Sequence, residues 1–331
     1  MSTGAEVDGV LVQWGERLFY PGNRIVRSGS TPRLSGGVGH RAAAIRRHIQ
    51  ATVRRAPQVM VKVTGGGRGM RAIAAHFRYI SRNGQLEIED DRGVTREGKE
   101  ALHDLEEQWQ HGGSFIDETS HRREAFNIML SMPDGTDPLI VQHAAREFAR
   151  DELGDHRYVM ALHDDQANPH VHISVRAESR HGERLNPRKA DLQRWRETFA
   201  EKLRGWGIDA EATRRATRGQ IRHYPPIWRV KAKEEGRLKT DRAIEPSGTR
   251  FSKGQALARQ AWDRIIESLA RSDSAEDRAL SEQADVFVRS TPLAARDVRK
   301  RDQVVEREPT RAMAVMPRVV KELHEDRGIR R

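Results

Sequence analysis

Polar and hydrophobic positions alternate most regularly in one stretch near the middle of the chain, YVMALHDDQANPHVHISVRA. Two runs of β-favouring residues, 157–163 and 170–177, flank a turn that contains Asp, Asn and Pro, and this pattern predicts an antiparallel hairpin. Because side chains alternate along a strand, His170, His172 and Ser174 should share one face. The apolar residues between them should form the core face.

The same periodicities predict further elements on both sides of this hairpin. Strands are predicted at residues 58–64, 85–89 and 124–132, and helices at 40–55, 70–82, 95–110, 138–153, 192–206 and 254–271. Composition then divides the chain into a basic N-terminal extension (1–57), a central domain (58–233) and a charged helical appendage and tail (234–331). Outside its arginine-rich helix, the N-terminal extension is predicted to be loosely ordered.

Three histidines are predicted to converge on the hairpin. His163 ends the first strand and His170 and His172 begin the second, so their imidazoles can meet on the polar face. Each ring can offer one nitrogen to a metal ion, and a site with three protein ligands leaves coordination positions open for catalysis. A half-exposed polar face is the plainer alternative. The ligands alone do not choose the metal, since three neutral imidazoles suit zinc, manganese or iron better than magnesium. The ion that we expect is divalent, Mg²⁺ or Mn²⁺, with Zn²⁺ as a third option.

The composition narrows the classes of protein that the chain can represent. Its 331 residues include 59 Lys and Arg against 48 Asp and Glu, a net charge of +11 that favours a polyanionic partner such as nucleic acid. There is no cysteine, which excludes disulfides, thiolate zinc sites and cysteine nucleophiles. No apolar run approaches about 18 residues and the N-terminus lacks signal-peptide features, so we expect a cytoplasmic protein without a membrane span.

Positive charge is concentrated after the hairpin. Residues 184–233 contain fourteen Lys and Arg but only five acids, and Arg214, Arg215 and Arg218 lie close together there. We predict that these arginines contact a DNA backbone; the alternative is that they only solubilise the end of a helix. Of the tryptophans in this stretch, Trp195 and Trp206 are predicted to be core residues. Trp228 stays undecided between a core position and stacking on a base.

Three motifs resemble those of a known enzyme family. They are HFRYISRNGQLEIED around Tyr79, MLSMPDGTDP after the strand predicted at 124–132, and HDDQANPHVHISV in the hairpin. Over residues 58–219 the chain is similar to DNA relaxases, the mobilisation nucleases of the HUH endonuclease superfamily, of the T-DNA border endonuclease type. The resemblance implies an α+β fold with an antiparallel sheet of about five strands and flanking helices, to which the basic helical C-terminal extension is added. It also implies a metal held by the three histidines and a tyrosine that attacks DNA.

The resemblance assigns roles to individual residues. Tyr79 corresponds to the attacking tyrosine, and Arg82, one helical turn later, is a candidate phosphate contact. Asp165 occupies the acidic position between the histidines, where it would orient an imidazole or draw the tyrosine proton, and Asp164 is the alternative for this role. Asn127, a polar residue in an apolar strand, would either hydrogen-bond a metal-bound histidine or lie on a solvated face. Of the other tyrosines, Tyr158 should face away from the metal.

The implied activity is site- and strand-specific nicking of single-stranded DNA at a transfer origin. The tyrosine would keep the 5′-phosphate as a phosphotyrosyl ester, release a 3′-hydroxyl and later re-join the DNA during conjugative transfer. Expected partners are relaxosome accessory proteins and a secretion coupling protein, in a bacterial cytoplasm from which the protein could leave with the DNA strand. Three alternatives stay open: a rolling-circle or transposon nuclease, a non-catalytic DNA-binding protein on the same scaffold, and a histidine-ligated zinc hydrolase.

Overall fold

The computed structural model describes residues 4–20, 36–220, 232, 235–237 and 249–293. The strands in this part of the chain are Met60–Gly65 (β1), Ile88–Asp90 (β2), Thr95–Arg96 (β3), Ala125–Ser131 (β4), His156–His163 (β5) and His170–Ser179 (β6). They form one sheet in the order β1-β4-β6-β5-β2-β3, and all neighbouring strands are antiparallel. The predicted α+β class is confirmed. The sheet has six strands because β3, predicted to begin a helix, pairs with β2.

Eight helices occur in the described residues. They are Gly4–Phe19 (α1), Val38–Val53 (α2), Met70–Ile80 (α3), Lys99–His111 (α4), Pro138–Leu153 (α5), Lys189–Gly205 (α6), Thr249–Ala270 (α7) and Ala275–Arg289 (α8). Helix α5 begins as predicted, because the Asp137 side chain accepts a hydrogen bond from the Leu139 amide at 2.8 Å and proline occupies the first helical position. None of these helices has the length and apolar character that crossing a membrane requires.

Helices cover both faces of the sheet. Helices α5 and α6 pack on one face, where Val171, Ile173 and Val175 of β6 are completely buried, as their alternation predicts. On the other face α3 packs against β5, β6 and α4, and the rings of Phe77 and Trp109 meet edge-on at 4.9 Å between centroids. Strand β6 lies between β4 and β5, and because helices cover both faces of the sheet there, its residues 170–177 are all buried.

Helices from the two ends of the described chain form a third apolar cluster. Helices α1 and α2 pack against α7 and α8 around the buried side chains of Ile45 and Trp262. Arg46 on α2 joins three of these helices, because it forms ion pairs with Asp8 on α1 and Asp277 on α8, each at 2.7 Å. The expectation of a loosely ordered N-terminal segment is wrong for α1, whose apolar residues face its neighbours. Helices α1 and α2, from the predicted N-terminal extension, thus pack against α7 and α8, from the predicted C-terminal appendage. The domain boundaries near residues 57 and 233 stay a prediction.

Helix α3 ends two residues earlier than predicted. The turn that follows contains three consecutive residues with positive φ, 51° at Arg82, 59° at Asn83 and 83° at Gly84. A Cβ atom at Gly84 would lie 2.8 Å from the carbonyl carbon of Gly98, so the turn requires glycine there. Arg82 therefore belongs to this turn and not, as predicted, to the last turn of the helix.

The tryptophans of the basic stretch differ in their surroundings. Trp195 is 1% exposed in the core between α5, α6 and the sheet, as predicted. Trp206 is 43% exposed; its ring stacks on that of His143 at 4.7 Å, and its Nε1 donates a hydrogen bond to Glu147 at 3.1 Å. The core assignment of Trp206 is wrong, because the residue follows the last residue of α6 and its ring lies against the partly exposed His143 and Glu147 of α5. Trp228 lies outside the described residues.

Candidate active site

The β5–β6 hairpin brings the three predicted histidines together. His163 and His170 lie opposite each other across it, and His172 lies two residues further along the same face. Their ring centroids are 4.7 to 5.1 Å apart, and one nitrogen from each ring lies within 4.8 Å of the others. All three side chains are buried. A half-exposed polar face is therefore not what the structure has, because α3 covers this part of the sheet.

Hydrogen bonds fix the orientation of two of these imidazoles. The Nε2 of His163 lies 2.8 Å from the carbonyl oxygen of Ile80, and the Nδ1 of His170 lies 3.0 Å from that of Asn168. A carbonyl can only accept, so these nitrogens carry the protons and the opposite nitrogens keep lone pairs. Both nitrogens of His172 are buried and have no hydrogen-bond partner. Such atoms are rare in folded proteins and commonly indicate a missing ligand.

The electrostatics of the cluster favour neutral imidazoles at His172 and His163. Burial, with a contribution from the three neighbouring histidines, lowers the pKa of His172 to about 3. Burial also lowers the pKa of His163, against the hydrogen bond to Ile80. Neutral imidazole is the form that binds metals, and three such ligands fit a divalent ion while leaving its charge uncompensated. The donor set and the unpartnered His172 nitrogens therefore fit the expected metal.

The tyrosine ring whose hydroxyl is predicted to attack DNA lies beside this cluster. Tyr79 is on α3, whose opposite side is buried against α4, and its side chain is 61% exposed. Its ring centroid is 5.5 Å from that of His172 and 6.3 Å from that of His163. By contrast, Tyr158 is 3% exposed in the core on the other face of the sheet, as predicted. Among the described tyrosines, Tyr79 combines an exposed ring with contact to the histidines.

Arg82 and Asp165, predicted to act separately, contact each other. An Arg82 guanidinium nitrogen lies 2.6 Å from an Asp165 carboxylate oxygen, and both side chains are partly exposed. Asp165 was expected to orient an imidazole or to draw the tyrosine proton. In the structure the partner of its carboxylate is an arginine, and this ion pair connects the turn after α3 to the hairpin turn.

Asn127 lies on the histidine face but has a different partner from the one expected. It pairs in register with Ser174 on β6, whose hydroxyl donates to the Asn127 side-chain oxygen at 3.4 Å. The residue that pairs with His172 is Met129. The side-chain amide of Asn127 is therefore offset along the sheet from the three histidines, and its hydrogen bond is with a serine and not with a histidine.

The three arginines predicted to bind DNA follow α6. Arg214 and Arg215 are exposed, whereas Arg218 is half-buried and donates from Nε to the carbonyl oxygen of Thr213 at 3.2 Å. Burial, with a contribution from Arg215, lowers the pKa of Arg218 to about 10. The terminal helices hold this segment, since Trp262 on α7 donates from Nε1 to the Thr217 carbonyl oxygen at 2.7 Å. The arginines are thus attached to the helical cluster.

One further residue joins the cluster that sequence reasoning did not include. His76 precedes Tyr79 by three residues on α3, and their rings stack at 5.9 Å between centroids. The His76 ring also meets that of His172 edge-on at 6.2 Å, and its Nε2 is buried without a partner. The spacing of three residues on one helix was the available signal, but the contact with β6 depends on tertiary packing.

The segment that carries this site is similar to a known nuclease domain. Residues 79–208 match the family model of the relaxase MobA/VirD2-like nuclease domain. The predicted resemblance is therefore confirmed for this segment, which contains the α3 tyrosine and all three histidines.

Individual relatives agree with this class. The chain is 28% identical over 184 residues to the T-DNA border endonuclease VirD2 of Agrobacterium fabrum, and the aligned region covers 49% of this chain and 41% of that protein. It is 27% identical over 185 residues to the protein of the same name from Rhizobium radiobacter, covering 49% and 43% of the two chains. The matched region thus spans about two fifths of the length of these relatives.

Proposed function

We propose that this protein nicks single-stranded DNA by attack of Tyr79 on a phosphodiester, with a divalent metal ion held by His163, His170 and His172. One observation carries the proposal: an exposed phenol ring lies 5.5 Å from the ring of a buried histidine whose nitrogens have no partner. The similarity to MobA/VirD2-like nuclease domains supports the same class of reaction.

The histidines would provide the ligand atoms. His163 would contribute Nδ1, because its Nε2 donates to the Ile80 carbonyl, and His170 would contribute Nε2 for the corresponding reason. His172 can offer either nitrogen. When bound, the ion supplies positive charge that stabilises the phosphoryl oxygens in the transition state. Mg²⁺ and Mn²⁺ are the proposed ions, with Zn²⁺ as a third option.

Tyr79 would carry out the transfer itself. Its oxygen forms a bond to phosphorus while the bond from phosphorus to the 3′ oxygen of the preceding nucleotide breaks. The phenol loses a proton and the leaving 3′ oxygen takes one up, which gives a 5′-phosphotyrosyl ester and a 3′-hydroxyl. Because one phosphoester replaces another, the reverse step re-joins DNA without ATP. Arg82, held by its ion pair with Asp165, would contact the phosphate.

In the cell this chemistry would serve nicking and re-joining at a transfer origin during conjugative DNA transfer. Arg214, Arg215 and Arg218 are the proposed contacts to the DNA backbone, in keeping with the net charge of +11. The proposed partners are relaxosome accessory proteins and the coupling protein of a secretion system. The proposed location is the bacterial cytoplasm, with export alongside the transferred strand.

Covalent capture of DNA tests the proposal. The protein is incubated with Mn²⁺ and a labelled pool of single-stranded oligonucleotides, and adducts that survive denaturing electrophoresis are counted. Wild-type protein should form adducts and Tyr79→Phe should form none while binding the same DNA, because only the hydroxyl is removed. Tyr158→Phe, which removes a buried hydroxyl on the other face of the sheet, is the matched control and should keep forming adducts. An adduct in Tyr79→Phe would contradict the assignment of the nucleophile.

A further inference from the structure

The exposed position of Tyr79 raises the question of what holds its ring. A tyrosine with 61% of its surface exposed has few packing contacts to select one rotamer. The rings that contact it are His172 and His163, from the sheet, and His76, from its own helix. Only His76 lies parallel to the phenol, with an interplanar angle of 24°, whereas His172 meets it at 78°.

His76 also contacts one of the three hairpin histidines. Its ring meets that of His172 edge-on, at 82° and 6.2 Å between centroids. The ring therefore lies between the helix that carries the phenol and the strand that carries a ligand. Offset-stacked and edge-to-face pairs at such separations are the favourable geometries for aromatic rings. Neighbours three residues apart on a helix are common, but this residue contacts the phenol and the ligand histidine together.

We infer that His76 is a positioning residue for the nucleophile: its ring packs against the face of Tyr79 and the edge of His172, and so fixes where the phenol lies relative to the three histidines. This inference rests on the proposed function for its catalytic consequence, but the ring contact can be measured without catalysis. We count His76 as a neighbour of the ligands and not as one of them, because the convergent ligand nitrogens in the described residues are those of the three hairpin histidines.

Three substitutions separate the flat ring from its other properties. His76→Phe keeps a ring that can stack, His76→Leu fills a similar volume without a ring, and His76→Ala removes both. His103→Ala, at an exposed histidine on α4, is the matched control. The single-turnover rate of adduct formation should fall roughly tenfold or more in the Leu and Ala variants, since small displacements of reacting groups cost up to about a hundredfold. DNA affinity should be unchanged, and His76→Phe should remain within about threefold of wild type.

The outcomes distinguish the inference from its competitors. Slow reaction in Leu and Ala with normal rate in Phe supports a positioning role for the ring. Equal losses in Phe and Leu overturn it, because the nitrogen and not the ring would then matter. A wild-type rate in Leu also overturns it. If any His76 variant loses Mn²⁺ affinity to the extent that His172→Ala does, His76 is a ligand and the inference is wrong.

A spectroscopic measurement keeps the test independent of DNA cleavage. The chain has four tyrosines, so ¹⁹F NMR of fluorotyrosine-labelled protein gives few signals, and Tyr79→Phe identifies the one from the nucleophile. His76→Leu should shift and sharpen that signal, because the exposed ring gains rotational freedom, whereas His76→Phe should change its width little. An unchanged signal in His76→Leu overturns the inference even if no adduct is ever observed. Absence of adducts in wild-type protein together with the expected NMR change overturns the proposed function alone.

Discussion

Replacing His172 with phenylalanine should make the metal-free protein more stable while removing its response to metal. Both nitrogens of this buried side chain lack partners, and each buried unsatisfied polar group costs about 1–3 kcal/mol. The larger phenyl ring introduces some crowding in a packed site, which costs about 1–3 kcal/mol. We therefore expect a net gain of about 1 kcal/mol in the free energy of unfolding, although most core substitutions destabilise.

His156 provides the matched control, because it is a buried histidine on the adjacent strand whose Nδ1 bonds to the Arg176 carbonyl oxygen at 2.9 Å. His156→Phe breaks that bond and should destabilise the protein by about 1–3 kcal/mol. The two substitutions are chemically identical, so opposite signs would isolate the missing partner at His172. Urea unfolding followed by tryptophan fluorescence, in EDTA, measures both values.

Metal and pH provide further tests of the same substitution. Excess Mn²⁺ at about a hundred times its Kd should stabilise the wild type by about 2.7 kcal/mol and leave His172→Phe unchanged. In EDTA, His172 has a folded pKa of about 3 against an ordinary value of 6.5. Between these values the unfolded chain binds a proton that the folded chain does not, so wild-type stability falls on acidification by up to about 1.4 kcal/mol per pH unit.

The variant lacks this group, so its advantage over wild type should widen as pH falls below 6.5. Two results would refute the reasoning. One is destabilisation of the metal-free protein by His172→Phe equal to that by His156→Phe, which would mean that water or protein already satisfies the His172 nitrogens. The other is an advantage that does not change with pH, which would mean that the imidazole is not held neutral by burial.

Two further predictions concern the basic segment and the terminal helices. Changing Arg214, Arg215 and Arg218 to glutamine should weaken binding to all single strands about equally and reduce the log–log salt slope by about 0.7 for each phosphate that is no longer neutralised; weakening confined to one sequence would show base recognition instead. Arg46→Leu should destabilise the protein by about 2 kcal/mol, less than for a fully buried pair, because it leaves the buried carboxylate of Asp277 without its partner. Urea unfolding measures this, and an unchanged midpoint would mean that the ion pair contributes nothing.

The parts of the site that sequence analysis located are those set by local rules. Alternation with a period of two placed His170 and His172 on one face, and the turn composition placed His163 opposite them; both follow from residues within one hairpin. In the helix predicted at 70–82, Ile73, Phe77 and Ile80 form an apolar line at helical spacing, and Tyr79 lies beside that line; in the structure these three residues are buried and Tyr79 is exposed. No tertiary information was needed for these assignments.

The parts that sequence analysis missed depend on contacts between distant segments. The ion pair of Arg82 with Asp165 joins residues 83 positions apart, and it forms because the helix stops early and the chain turns with positive φ. Helix α1 has an apolar side whose covering partner, α7, begins more than 200 residues later in the chain. Trp206 has the spacing of a core residue but lies just past the end of α6. Periodicity indicates which side of an element is apolar, not what covers it or where the element ends.

The two faces of β6 have different roles: one carries the histidine site and the other contributes to the hydrophobic core. An imidazole without partners is costly in an apolar environment, and every residue that β6 places on the histidine face from His170 to Glu178 is polar. The opposite face is apolar from Val171 to Ala177 and packs under α5 and α6. That face can hold the strand in register whether or not the histidines find a ligand. The fold therefore forms although the nitrogens of His172 have no partner. A metal ion that binds one of these nitrogens would remove part of the free-energy cost of leaving them unpaired, and this gain favours metal binding.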